Sequence, residues 1–207
     1  MNMAGGTVNH HAGHAGFAGV TGLLAGLTMI VGRGSVARFA ADTAAVSHAD
    51  HVVDVGCGPG TAAREAARRG ASVTGVDPAA VMLRLARALT RDRNAISWAE
   101  GTAEDLPLPD GSATVVWSLA TVHHWKSVTA GLAEARRVLA PGGRFLVIER
   151  RVRPGATGLA SHGWTDQQAE SFVADCREAG FEDVRLERRT PGRRAVLAVA
   201  AVSGARH

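Results

Sequence analysis

The sequence contains no tyrosine, and Lys126 is the only lysine among its 207 residues. Aromatic residues make up just 4% of it, which removes the stacking platform that single-stranded nucleic acid needs. With lysine nearly absent, the basic charge falls to arginine. Arg64, Arg68, Arg69, Arg84, Arg87, Arg136 and Arg137 recur at helical spacing with Glu65 and Glu134 among them. That pattern describes solvated helix faces, so the net charge of +4 does not call for a nucleic-acid partner. Two cysteines, Cys57 and Cys176, are too few for a disulfide framework. With no recognisable secretory signal and cleavage site, the expected location is cytoplasmic. Long apolar runs are lacking too. The uncharged stretch "GFAGVTGLLAGLTMIVG" (16–32) has seventeen residues, five of them glycine, and is too short and too weakly apolar to predict stable membrane insertion. What remains is 46% hydrophobic and 20% charged, the composition of one globular domain with a full core.

From residue 50 onward apolar runs alternate with helical patterns. The runs 51–55, 71–77, 95–101, 113–120 and 144–149 predict five strands. Helices are expected over 61–69, closed by Gly70, over 78–89 with Pro78 in first position, and over 127–139, ending at Pro141-Gly142-Gly143. This alternation predicts an α/β fold, a doubly wound and mostly parallel sheet. The end of the chain breaks the alternation. An amphipathic helix (165–181) with Thr165 as N-cap precedes two strands, 182–189 and 194–202, whose short link "TPGR" allows only an antiparallel pair. The expected total is seven strands. Residues 1–50 read as an N-terminal helical segment, with a helix over 35–47, ahead of a main domain over 51–207.

The chemistry centres on "HVVDVGCGPGTA" (51–62), where Gly56, Gly58 and Gly60 follow a strand and open a helix. Glycines there let a ligand approach the backbone, and free N–H groups at the helix start favour negative charge. Two details depart from a dinucleotide site. Thr61 stands where that fingerprint needs its third glycine or alanine. Asp54, inside the strand, would repel a pyrophosphate and suits an ammonium group instead. Asp77, 23 residues further on at the end of the second strand, is the expected partner of two ribose hydroxyls, or otherwise an Asp-Pro turn former. A nucleoside with an amino-acid end meets both demands, and S-adenosylmethionine is such a molecule.

The chain resembles the class I S-adenosylmethionine-dependent methyltransferases, in particular their small-molecule group. "VVDVGCGPG" (52–60), "VTGVDPAAVML" (73–83), "GTAEDLPLPDGSATVVWS" (101–118), "VHHW" (122–125) and "RVLAPGGRFLVIE" (137–149) carry the resemblance in order. It implies a Rossmann-like fold in which Asp54, Gly56, Gly58 and Gly60 hold the methionine end and Asp77 the ribose. Pro78 and Met82 would pack near the adenine, Thr102, Ala103 and Glu104 would read its edge, and Ser118 would lie near the sulfonium. Thr102 replaces the family's usual aspartate, and Ala113-Thr114 replaces its usual Phe-Asp.

Methyl transfer from a sulfonium is an in-line displacement, helped by alignment, by exclusion of water and, for a hydroxyl acceptor, by a base. His123 and His124 follow the fourth strand where an acceptor would sit, and His123 is the preferred base. His10, His11 and His14 lack an evident third metal ligand, so no metal is expected. They read as a flexible or capping segment, or as pocket lining. The link 151–164 is too short for a large lid, so the lid is expected from the N-terminus, its apolar run hinting at a quinone, lipid or aromatic acceptor on oxygen or carbon. "SLATVHHW" lacks the Asn/Asp-Pro-Pro-aromatic signature of nucleic-acid amino-methyltransferases. A cofactor-binding scaffold without turnover is the alternative, and a nicotinamide oxidoreductase stands third, disfavoured by Thr61 and Asp54. A homodimer is compatible with the sequence.

Overall fold

A computed structural model of the chain describes residues 33–91 and 95–204. Residues 1–32 of the expected N-terminal lid segment (1–50), with the uncharged run 16–32 and His10, His11 and His14, lie outside the described residues.

Seven strands form one sheet: β1 (His51–Val55), β2 (Ser72–Asp77), β3 (Ile96–Glu100), β4 (Ala113–Leu119), β5 (Leu139–Arg150), β6 (Phe181–Arg189) and β7 (Val196–Ser203). Their order is β3-β2-β1-β4-β5-β7-β6; the first five are mutually parallel, and β7 runs antiparallel to both neighbours. The helices are α1 (Gly34–Thr43), α2 (Thr61–Arg68), α3 (Ala80–Leu89), α4 (Val128–Val138) and α5 (Asp166–Glu178). The doubly wound α/β expectation holds, with the winding reversing between β1 and β4.

Side chains alternate between two cores, as the pleat requires. On β5, Phe145 and Val147 enter one cluster and Leu146 and Ile148 the other; Val116 and Trp117 of β4 divide in the same way. The first core is closed by α4 and α5 through Leu132 and Phe172, with Trp164 just ahead of α5. The second is closed by α1 and α2, where Ala37, Ala40, Ala41, Ala62, Ala63 and Ala66 let the helices lie close to the sheet. Thus α1, which lies in the N-terminal helical segment, packs into the second core.

Several predicted ends move. Pro78 is not the first helical residue: α3 begins at Ala80, because the Ala79 N–H donates to Asp77 Oδ1 at 2.9 Å and turns the chain before the helix starts. The predicted helix over 35–47 stops at Thr43, and that over 165–181 spans 166–178. Thr165 caps the latter in a reciprocal box with Gln168. The Pro141-Gly142-Gly143 stretch does not separate helix from strand. β5 starts at Leu139 and bulges there, pairing Leu139 with Ala113 and then Arg144 with Val115.

Candidate active site

In an open parallel sheet, ligands sit beyond the carboxyl ends of the strands where the winding reverses. At that position, past β1 and β4, lies a cavity of about 210 Å³ lined by Asp54, Gly56, Cys57 and Pro59 on one side and by Ala120, His123, His124, Glu149 and His162 on another. Arg33, Arg150 and Arg194 add positive charge, while Val36, Leu119, Ile148 and Val196 add apolar surface.

The β1 turn explains its own glycines. All three have positive φ, at 72°, 52° and 77° for Gly56, Gly58 and Gly60. A Cβ on Gly56 would lie 2.7 Å from Thr121, and one on Gly60 would lie 2.2 Å from the Trp98 ring. Protein atoms therefore exclude side chains at both positions. A Cβ on Gly58 would meet nothing within 4 Å, so this glycine leaves an open cradle. Its N–H donates to Asp77 Oδ2 at 2.8 Å, which ties the turn to the end of β2. Asp77 forms the Asp-Pro turn at the end of β2, and burial raises its pKa.

Asp54 is buried and accepts the Ala63 N–H at 3.1 Å. Burial pushes its pKa up to about 7, partly offset by the Trp117 indole and the Ala63 amide and reinforced by nearby Asp77. A cationic partner would return it to the carboxylate form. Burial also pushes the Cys57 thiol well up, which makes it a poor nucleophile.

The opposite wall depends on the exit of β4. Ala120 takes a left-handed conformation (φ 58°), and its N–H bonds to the Ile148 carbonyl at 2.7 Å. The chain then turns through a short 3-10 segment, Val122–His124. Thr121 donates to the Val55 carbonyl at 3.1 Å and shares a hydrogen bond with the fully buried Ser118. His123 is buried, and its Nδ1 lies 2.9 Å from Oε2 of Glu149, a carboxylate with no solvent exposure at the end of β5. Donation from Nδ1–H to that carboxylate would fix the ring and leave Nε2 as the acceptor nitrogen.

Of the residues singled out from sequence, Asp54, Gly56, His123 and His124 share the cavity lining. Gly58, Gly60 and Asp77 stand behind it in the β1–β2 turns. Pro78 is exposed, whereas Met82 and Ala103 are buried. Thr102 forms a bridge with Asp105, and Glu104 Oε1 accepts the Lys126 and Ser127 N–H groups at 2.7 and 3.2 Å, holding the approach to α4. Sequence reasoning missed Glu149, His162, Arg33 and Arg194. Glu149 left one readable sign, a carboxylate closing the apolar run "RFLVIE". Arg33 and His162 lie outside the predicted elements, and Arg194 opens the predicted strand 194–202, whose pattern carries no sign of a site.

The open cradle at Gly58, the buried carboxyl of Asp54 and the fixed carboxylate of Asp77 suit a nucleoside with an ammonium-bearing end, and so fit S-adenosylmethionine. Comparison with known proteins agrees. Residues 53–147 match the methyltransferase domain family. A demethylmenaquinone methyltransferase of Tropheryma whipplei (strain Twist) is 38% identical over 112 residues, covering 54% of this chain and 46% of that protein. The 27-O-demethylrifamycin SV methyltransferase of Amycolatopsis mediterranei is 31% identical over 154 residues, covering 67% and 56%. The chain thus spans about half the length of these curated relatives. Among solved structures, a Haloferax volcanii methyltransferase in complex with the Trm112 methyltransferase activator aligns with a TM-score of 0.75 at 22% identity, over 87% of this chain and 94% of that one.

Proposed function

We propose, on the premise that this chain belongs to the class I S-adenosylmethionine-dependent methyltransferases, that it methylates a small molecule seated in the cavity beyond β1 and β4. Bound along the β1 and β2 turns beside this cavity, the cofactor would supply an electrophilic methyl group on a sulfonium. Asp54, Gly56, Gly58 and Gly60 hold its methionine end and Asp77 its ribose. Met82, Thr102 and Ala103 form the adenine side. Ser118 and Thr121 keep the β4 exit fixed beside the β1 turn. The apolar part of the lining, Val36, Leu119, Ile148 and Val196, excludes water and suits an aromatic or quinone-like acceptor, the class named for the Tropheryma relative.

His123 takes the proton that an acceptor hydroxyl or activated carbon loses. Glu149 keeps its ring turned and stabilises the imidazolium that forms. One observation carries this reading: the glycine turn and the His123–Glu149 pair, from opposite ends of the chain's parallel half, meet in a single cavity.

Formation of S-adenosylhomocysteine, measured with a panel of hydroquinones, phenols and aromatic acids, tests it. Turnover is expected with at least one aromatic hydroxyl compound. His123→Ala is expected to lower kcat by roughly 10²–10⁴ while leaving cofactor affinity unchanged. Cofactor binding with no turnover on any acceptor would favour a scaffold role. An unchanged kcat in His123→Ala would remove the base.

A further inference from the structure

Three imidazoles converge at one point of the cavity wall. His123 and His124 come from the turn after β4, and His162 comes from the link between β5 and α5. One nitrogen from each lies within 4.8 Å of the others. The ring centroids are 4.0 Å apart for His123 and His124, and each is 5.7 Å from His162. Among the described residues this is the one group of histidine, cysteine or acidic side chains with metal-ligand proximity.

We propose that His123, His124 and His162 bind a divalent transition-metal ion of the Zn²⁺ class, with Glu149 as the carboxylate that orients His123. Three neutral imidazoles with a fourth position open to a cavity are the donor set of a catalytic zinc site. Metal-binding histidines nearly always give their second N–H to a carboxylate or carbonyl, and the Glu149 contact at 2.9 Å from Nδ1 does this for His123. That leaves Nε2 as the ligating atom. Tetrahedral ligation at about 2.0–2.1 Å needs nitrogens closer together than they are here. Metal binding therefore requires side-chain rotation of His124 and His162, which are both partly exposed.

The backbone holds His162 in position. Arg150 donates from Nε to the His162 carbonyl at 2.9 Å and from its terminal nitrogen to Ala160 at 2.6 Å. Next in sequence, Gly163 has φ 140°, and a Cβ there would lie 2.2 Å from the Arg150 carbonyl oxygen. The link is thus folded onto the end of β5, which returns His162 to a partner 39 residues earlier in the chain. Arg33, Arg150 and Arg194 around the same cavity favour an anion, rather than neutral water, as fourth ligand. Metal and acceptor proton compete for one nitrogen of His123. The proposal stands on the imidazole geometry and does not depend on methyl transfer.

The full chain, stripped with chelator and without cofactor, is titrated with Co²⁺ and followed by visible ligand-field absorption; Zn²⁺ is then measured by competition with a chromophoric chelator. One equivalent is expected, with the intense bands of a four-coordinate site. His162→Ala should abolish the bands and weaken Zn²⁺ binding by about 100-fold, and Glu149→Gln should weaken it about 10- to 100-fold. Near-ultraviolet circular dichroism checks that each variant is folded, and His124→Ala serves if one is not. No Co²⁺ bands in the parent protein would overturn the site. So would unchanged Zn²⁺ affinity in folded His162→Ala and His124→Ala, which would assign binding to the remaining histidines.

Discussion

The β1 side of the cavity is built from backbone and carboxyl groups, whereas the side beyond β4 is built from imidazoles and guanidinium groups. The first is contiguous: strand, turn and helix follow one another over 51–68, and Asp77 ties on through a single hydrogen bond to Gly58. The second draws His123, Glu149, His162, Arg194 and Arg33 from five separate segments. A contiguous motif can be carried as a unit, so one wall can stay constant. An assembled wall can change one residue at a time, which suits the proposed seat of the acceptor.

The comparison can be broken first at the glycines. Gly60→Ala drives a Cβ into the Trp98 ring at positive φ and is expected to destabilise the fold by about 2–4 kcal/mol, read by urea unfolding. Pairing it with Trp98→Leu should recover part of the loss; no recovery would mean that strain alone, and not the ring, requires glycine. Asp77→Ala removes the acceptor of two backbone N–H groups as well as the proposed ribose partner. Calorimetry with S-adenosylhomocysteine should give a loss on the order of 100-fold, about 2.7 kcal/mol, and a much smaller one would transfer cofactor recognition elsewhere.

A subtler test uses pH. A buried Asp54 with its pKa raised to about 7 takes up a proton on folding. Its share of ligand-free stability is complete below the unfolded value near 3.8 and is lost as pH rises through about 7. An ammonium-bearing ligand needs the ionised form, so affinity for S-adenosylhomocysteine should fall up to tenfold per pH unit below 7. Asp54→Asn should abolish that slope and raise the ligand-free melting temperature at pH 8. A pH-independent affinity in the parent would remove the ammonium contact. The smallest effect is expected for Gly58→Ala, about 1 kcal/mol of backbone strain in stability, with its weight falling on cofactor binding because only open space faces that Cβ.

The same division governs what could be read in advance. The strands themselves, the terminal antiparallel pair and the glycine turn follow from period and punctuation, which are local. Why Gly56 and Gly60 must be glycine was not legible, because Thr121 and Trp98 reach them only after β4 and β3 are in register. Pro78 misled for a related reason: its side chain suits a helix start, but the Asp77 carboxyl captures the next N–H and delays the helix. His123 was legible from its place after a strand. Its partner Glu149, 26 residues away, was visible only as an acid at the end of an apolar run. The Ala120 conformation that aims His123 at that partner leaves no trace in composition, since alanine rarely adopts it.

The placement of β7 between β5 and β6 has a consequence for biosynthesis. As the chain leaves the ribosome, the apolar edge of β5 (Phe145–Ile148) has no neighbour until residues 196–203 emerge, because its partner is made after β6. At about 5–20 residues per second, that edge stays uncovered for several seconds. Arg194 and Val196 arrive in the same interval. The nascent protein therefore completes the glycine turn early and the Arg194–Val196 part of the cavity last, and chaperone dependence should be concentrated in that window.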